Sequence, residues 1–184
     1  SKLAIVGASG LVGRNLLEQL QKREFRIDEI FLLGKKSAGS SINFLDKDCR
    51  IEDIDEFDFN KPDYAILSAG SDVARDYANK FIEGNCKVLD MSSYFRYEDN
   101  VPLIIPEING HIICKKTNLV ANPNCSTAQL LMILDHIHKE FSIESVMITT
   151  FQAVSGAGEQ GIKELENQSQ SISAVSNIFS KTIA

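Results

Sequence analysis

The segment Gly7-Ala-Ser-Gly10-Leu-Val-Gly13 joins a run of strand-forming residues, Lys2-Leu-Ala-Ile-Val6, to a stretch in which Leu16, Leu17 and Leu20 recur at helical spacing. A strand that hands over to a helix through glycines turns its free backbone N–H groups outward, where they and the helix dipole favour a pyrophosphate. The spacing is G-x-x-G-x-x-G, not the commoner G-x-G-x-x-G. Its place directly after the first strand carries the dinucleotide reading, with Gly7 and Gly10 as turn residues.

The second predicted strand, Glu29-Ile-Phe-Leu-Leu33, ends where a bound ribose is expected. A site for NAD places Asp or Glu there, on the 2′-hydroxyl. This strand runs instead into Gly34-Lys35-Lys36-Ser37-Ala38-Gly39. Lysines and a serine suit a 2′-phosphate, so NADP is favoured over NAD. Alternation then continues. Asp63-Tyr-Ala-Ile-Leu67 reads as a strand leading into Ser68-Ala69-Gly70-Ser71, Val73 to Ile82 as a helix, and Lys87-Val-Leu-Asp90 as a strand. The acidic region from Ile42 to Asn60 fits either short strands or an excursion. Strands alternating with helices predict a Rossmann-like, doubly wound α/β fold with a parallel sheet. Ligands of such sheets bind beyond the carboxyl ends of the strands. Gly7 to Gly13, Ser68 to Ser71 and Met91 to Ser93 all fall on that one rim.

A second chemical signal lies in Asn122-Pro-Asn-Cys-Ser-Thr127. Asn118-Leu-Val-Ala121 before it reads as a short buried strand. Leu130, Leu131, Ile133, Leu134, Ile137 and Phe141 after it give one apolar helix face. Cys125 or Ser126 is therefore expected at the helix N-cap. Thiols at helix N-termini ionise more readily, and an ionised thiol attacks a carbonyl or acyl phosphate. Arg96, in Ser92-Ser-Tyr-Phe-Arg96, stands in a rim loop where its planar fork can grip phosphate or carboxylate. Glu144 to Thr150 reads as a strand ending in Phe151-Gln152-Ala-Val-Ser155-Gly156-Ala-Gly158. Gln152 is placed there to orient a substrate by its amide, and Ser155 to Gly158 form a loop for close backbone approach.

A net charge of −6 argues against nucleic acid and anionic membranes as partners. No apolar run reaches the length of a membrane span, and the first residues lack a signal-peptide layout. The cysteines at 49, 86, 114 and 125 form no Cys-x-x-Cys pair, so no metal site is expected, and a reducing cytoplasm is the natural setting.

Six stretches together resemble a known family: Gly7 to Gly13, Lys36-Ser-Ala-Gly39, Ser92 to Arg96, Val101-Pro-Leu-Ile-Ile-Pro-Glu-Ile-Asn109, Pro123 to Thr127 and Phe151 to Gly158. In this order they are similar to aspartate-semialdehyde dehydrogenase, from the first strand to about residue 165. The Pro-Asn-Cys-Ser-Thr form separates them from N-acetyl-glutamyl-phosphate reductase. The resemblance implies an NADPH-dependent reductive dephosphorylation of aspartyl-4-phosphate to aspartate 4-semialdehyde and phosphate, in the pathway to lysine, threonine and methionine. It implies Cys125 as the nucleophile that forms a thioester, Arg96 as the phosphate-binding residue and Gln152 as the substrate-positioning residue, with Asn124 also at the substrate. On the cofactor it places Ser9, Gly10, Leu11 and Val12 at the pyrophosphate, Lys36 and Ser37 at the 2′-phosphate, and Ser155 and Gly156 near the nicotinamide. Ser68, Ala69 and Gly70 line the same rim.

Lys36 stands where the family usually has arginine, and Met91 where it often has asparagine. Family members are also roughly twice as long as these 184 residues. The expected organisation is a nucleotide-binding domain over residues 1–122 and the beginning of a catalytic and dimerisation domain over 123–184. The family's acid/base histidine, substrate-carboxylate arginine and phosphate-binding lysine have no counterpart here. His111, His136 and His138 stand in no matching motif, and the last two are expected on the helix surface. The chain alone is thus expected to bind dinucleotide poorly and turn over little, exposing apolar side chains near Ile162 to Leu165 and Ser169 to Ile178; the full-length protein is expected to be a homodimer. Two other readings are a non-catalytic nucleotide-binding module of the same fold and a related acyl-phosphate reductase for another substrate.

Overall fold

Strand β1 (Lys2–Val6) is buried from Leu3 to Val6, which requires cover on both of its faces and both of its edges. In the computed structural model, which describes residues 1–170, it receives both. It pairs in parallel with β2 (Glu29–Gly34) on one side and β5 (Tyr64–Leu67) on the other. β4 (Lys47–Asp53) continues the sheet beyond β2; β6 (Lys87–Asp90) and β7 (Leu119–Ala121) continue it beyond β5. With β3 (Ser41–Phe44) at one edge, the order of the seven strands is β3-β4-β2-β1-β5-β6-β7, and only the β3–β4 pair is antiparallel. The chain leaves β1 toward one edge and returns to lay β5 on its other side. The fold is the doubly wound α/β type expected.

Successive side chains of a strand point to opposite faces. Ala4 and Val6 accordingly join Leu33, Leu67, Ala74 and Phe81 on the side of helix α2 (Ser71–Glu83). Leu3 and Ile5 join Leu17, Leu32 and Ile51 on the side of helix α1 (Leu11–Lys22).

The ambiguous region resolves into a hairpin and an aromatic cluster. Leu45 and Asp46 link β3 to β4 with φ of 52° and 60°, the positive values of a two-residue type I′ turn. After β4, Phe57 and Phe59 pack on Phe81 with ring centroids 6.3 and 4.9 Å apart. Beyond β6 come α3 (Pro106–Asn109), β7 and α4 (Cys125–Phe141). Leu131, Ile133, Ile137 and Phe141 of α4 are exposed.

The described chain divides into two compact units, Ser1–Val146 and a second beginning at Met147. In the second, a 3₁₀ turn (Val154–Ala157) leads into α5 (Gly158–Gln170). Two expectations are corrected here. Residues Glu144 to Thr150 form no strand, and Met147 and Phe151 are each 99% exposed. A strand exists only where a neighbour completes its hydrogen-bond ladder, and none of the other described residues pairs with this segment. Ser155 to Gly158 are likewise not an irregular loop. The 3₁₀ turn is pressed so close to α5 that a Cβ on Gly161 would stand 2.5 Å from the Val154 carbonyl oxygen. Leu165 of α5 is exposed as expected, while the part of Ser169 to Ile178 beyond residue 170 lies outside the described residues.

The third glycine of the first turn sets how tightly α1 lies on β1. A Cβ at Gly13 would stand 2.3 Å from the Gly7 carbonyl oxygen and 2.7 Å from Ala8 Cα, and both neighbours are backbone. Gly13→Ala is expected to cost about 1–3 kcal/mol, read as a lower urea midpoint with an unchanged slope. Gly110→Ala, whose Cβ would meet nothing nearer than 3.8 Å, should stay within about 0.5 kcal/mol of the parent.

Candidate active site

The sheet order reverses between β1 and β5, and the loops that follow these strands touch. Gly7, at φ +84°, approaches Ser68 and Ala69 so closely that a Cβ on it would lie 2.9 Å from Ala69 Cβ. Ser68 is fixed in turn, its N–H and Oγ both donating to the Val6 carbonyl at 2.9 and 2.8 Å. Above this contact begin two helices, each with a glycine N-cap: Gly10 for α1 and Gly70, at φ +94°, for α2. Neither cap has a side chain to accept from the first-turn N–H groups, so these donors stay open toward the rim. Arg14 Nε donates to the Ser9 carbonyl at 2.8 Å and holds the loop in place. The structure therefore gathers Gly7, Ser9, Gly10, Leu11, Val12, Ser68, Ala69 and Gly70 at one crevice.

The lysine loop after β2 lies on the same rim, and its two lysines differ. Lys35 Nζ is 2.7 Å from Asp55 Oδ2, and the Tyr77 hydroxyl donates to the other oxygen of the same carboxylate. That bond to Asp55 raises the Lys35 pKa above its ordinary value. Lys36 is exposed and makes no ion pair among the described residues. Ser37 lies over Gly34, where a Cβ would meet its Oγ at 2.4 Å.

On the other flank of the rim, Asp90 ends β6 and is fully buried. One carboxylate oxygen accepts from Ser92 N and the other from Ser92 Oγ, both at 2.9 Å. The Asp90 carbonyl accepts from Asn122 N at 2.8 Å. Arg96 is half-buried, and its Nε donates to the Asn122 carbonyl at 3.0 Å. The loop carrying Arg96 is thereby tied to the loop that carries the cysteine.

The N-cap of α4 is Asn124. The expected cap at Cys125 or Ser126 is corrected by one residue: Asn124 Oδ1 accepts from Ser126 N at 3.0 Å and Ser126 Oγ at 2.6 Å, with Cys125 Sγ 3.9 Å away. An amide oxygen reaches the N–H two residues on with better geometry than a thiol, which is a poor acceptor. Cys125 becomes the first residue inside the helix and is exposed at its N-terminus. Gln152, Ser155 and Gly156 belong to the second unit, where Gln152 is exposed and accepts from Thr150 Oγ1 at 3.3 Å. His136 and His138 are exposed on α4. No group of His, Cys, Asp and Glu suited to a metal occurs among the described residues.

A family model described as semialdehyde dehydrogenase, NAD binding domain, matches residues 2–116, and one described as semialdehyde dehydrogenase, dimerisation domain, matches residues 134–183. The chain belongs to the semialdehyde dehydrogenase family. Among similar curated proteins, the aspartate-semialdehyde dehydrogenase of Vibrio mimicus is 42% identical over 99% of this chain and 60% of its own length. Aspartate-semialdehyde dehydrogenase 2 of Vibrio cholerae is 41% identical, over 99% and 56%. A crystal structure of aspartate semialdehyde dehydrogenase II from Vibrio cholerae complexed with ASA superposes with a TM-score of 0.90 at 40% identity, over 98% of this chain and 56% of that one. The chain thus spans 56–60% of the length of these relatives. Its described helices include none long and apolar enough to cross a membrane.

The sequence reading did not mark Asp90 as part of this site, nor the linking role of the Asn122 backbone. Asp90 was visible as a carboxylate closing the strand after Val88 and Leu89. Asn122 joins Asp90 and Arg96 through its backbone N–H and carbonyl, which leave no side-chain signature, while its side chain donates to the Pro123 carbonyl at 3.0 Å.

The four free thiols differ in environment. Burial pushes the Cys86 thiol up to about 12, leaving a thiolate fraction of about 10⁻⁴ at pH 8. Cys114 is exposed, and a hydrogen bond with Thr117 lowers its pKa. In the folded chain, iodoacetamide is expected to label Cys125 and Cys114 while sparing Cys86, followed by peptide mass spectrometry. Cys86 reacting alongside Cys125 without denaturant would contradict the buried placement. Because Cys114 reacts as well, the reactivity of Cys125 is best isolated in a Cys114→Ser background.

Proposed function

We propose that this chain supplies the nucleotide-binding and nucleophile-bearing part of an NADP-dependent aspartate-semialdehyde dehydrogenase of the aspartate pathway. In the full-length protein, Cys125 attacks the acyl carbon of aspartyl-4-phosphate as a thiolate, forming a C–S bond and expelling phosphate. NADPH, when bound, supplies the hydride that reduces the resulting thioester, and the sulfur leaves as the aldehyde forms. The observation that carries this reading is the single hydrogen-bonded junction at Asn122, which holds Arg96 close to the start of the Cys125 helix.

The turn at Gly7 lies too close to Ala69 for an added Cβ, and a Cβ on Gly10 would stand 3.3 Å from the Gly7 carbonyl oxygen, the close backbone packing that a pyrophosphate site uses. Ser9, Leu11 and Val12 present open N–H groups to it, Gly10 turns the backbone with its own N–H given to the Gly7 carbonyl, and Ser68 to Gly70 form its opposite wall. Lys36 holds the 2′-phosphate with Ser37. Arg96 Nε is spent on Asn122, which leaves its terminal nitrogens to grip the substrate phosphate. Asn124 shapes the substrate side by capping α4, and Gln152 orients the substrate, with Ser155 and Gly156 near the nicotinamide. The division into a nucleotide-binding domain and the beginning of a catalytic and dimerisation domain is placed at residues 122 and 123, with the nucleophile just after it. The match to a dimerisation domain supports a homodimer, and a biosynthetic step on a small polar metabolite supports a cytoplasmic site.

The complete protein should reduce NADP only when given both aspartate semialdehyde and phosphate. Cys125→Ala should lower kcat roughly 10⁴-fold or more, with NADP affinity within about twofold of the parent. Normal turnover by that variant would end the covalent mechanism. Efficient use of a different semialdehyde would move the assignment to a related acyl-phosphate reductase, and NADP binding without turnover of either would favour a non-catalytic module. Lys36→Ala is expected to reduce the preference for NADP over NAD about tenfold, measured as the ratio of kcat/KM for the two cofactors.

A further inference from the structure

Asp90 is an acidic side chain buried where burial is costly, and no cation pairs with it among the described residues. Taking a carboxylate out of water costs several kcal/mol unless its oxygens are satisfied. An asparagine would cap the turn at Ser92 N with a single amide oxygen. A carboxylate accepts from two donors at once and here does so, from Ser92 N and Ser92 Oγ. Ser92 Oγ passes the restraint along by accepting from Tyr94 N at 3.1 Å. Ser93 Oγ is 3.1 Å from Ser71 Oγ, so the same loop is pinned to the first turn of α2. Its last residue, Arg96, closes onto Asn122, whose N–H is already given to the Asp90 carbonyl.

We infer that Asp90 is a positioning residue, which through Ser92 fixes the loop that aims Arg96 beside Cys125. The inference deepens the proposed function, and rests on it for the statement that Arg96 grips phosphate. An anion cannot be Asp90's own ligand, because both of its side-chain oxygens are already engaged as acceptors. Its contribution must reach the substrate through Arg96. The carboxylate and the backbone carbonyl of one residue then hold both loops, so Arg96 and the nucleophile keep one spacing whether or not phosphate is bound.

Asp90→Ala and Ser92→Ala in the complete protein test this in two ways. Kinetically, Asp90→Ala is expected to raise the phosphate KM about tenfold and Ser92→Ala about threefold, with the NADP KM within twofold of the parent. Ser92→Ala should add nothing further in the Asp90→Ala background, because the hydroxyl acts through that carboxylate. Asp90→Asn, which keeps one acceptor, should recover part of the loss. Independently of turnover, Arg96 should react with phenylglyoxal several-fold faster in both variants, while Arg14 and Arg75 in the same digests keep their parent rates. Equal rises in both KM values, or acceleration at all three arginines, would overturn the inference in favour of general loosening. So would an unchanged Arg96 rate together with an unchanged phosphate KM. Should Asp90→Ala fail to fold, Ser92→Ala decides by the same measures. A parent protein with no phosphate-dependent turnover would count against the proposed reaction, and the phenylglyoxal rates would still decide the role of Asp90.

Discussion

Everything at the rim depends on β1 being hydrogen-bonded on both sides, to β2 and to β5. A strand in that position has no edge open to water, so its side chains must be apolar on both faces and the chain must leave it abruptly. The exit is Gly7, whose positive φ and lack of a Cβ let the turn lie against Ser68 and Ala69. Because the crossovers go opposite ways from this point, the loops after β1 and β5 diverge above the contact and leave a crevice. The helices that cover the two faces begin there, and their N-termini bring partial positive charge to it. The site is a consequence of how the sheet is wound.

Within that rim the helix starts are built differently. α1 and α2 are capped by glycine and offer unclaimed N–H groups, as a diphosphate requires. α4 is capped by the Asn124 side chain, which uses the Ser126 N–H. A side-chain cap costs the helix one anion-binding donor but fixes the first turn, and the first turn is where Cys125 sits. Binding a mobile dinucleotide favours open donors, whereas presenting a nucleophile favours a fixed backbone. Asn122 extends the second device, since both of its backbone groups are spoken for by Asp90 and Arg96.

The strands β1, β2, β5 and β6 were legible because buried parallel strands are short apolar runs followed by turn residues, and each covers nearly the residues expected. The β3–β4 hairpin was not. Its turn is Leu45-Asp46, without the Asn-Gly or Asp-Gly pair that advertises a type I′ turn, and positive φ at leucine has no local signal. Glu144 to Thr150 fails in the opposite way, since its composition favours a strand while pairing requires a partner. In the site, Cys125, Arg96 and the glycine turn stood out because their chemistry sits in side chains or in glycine. The linking role of Asn122 escaped notice because it joins residues 26 and 32 positions away through backbone atoms, and that of Asp90 because its buried carboxylate holds only its own loop.

The lysine loop shows why charge counted along a sequence overstates what a ligand meets. Lys35 and Lys36 are adjacent, yet Asp55, brought in by the end of β4, neutralises only the first. The hydrogen bond from the Tyr77 hydroxyl occupies the other carboxylate oxygen, so Asp55 has little left to offer a ribose 2′-hydroxyl. In an NAD site a carboxylate near the end of β2 accepts from that hydroxyl; here the nearby carboxylate is already engaged. A 2′-phosphate would therefore meet Lys36, which has no ion-pair partner among the described residues, without a competing free acid at Asp55. The proposed preference for NADP thus depends as much on where the neighbouring carboxylate is directed as on the presence of a lysine.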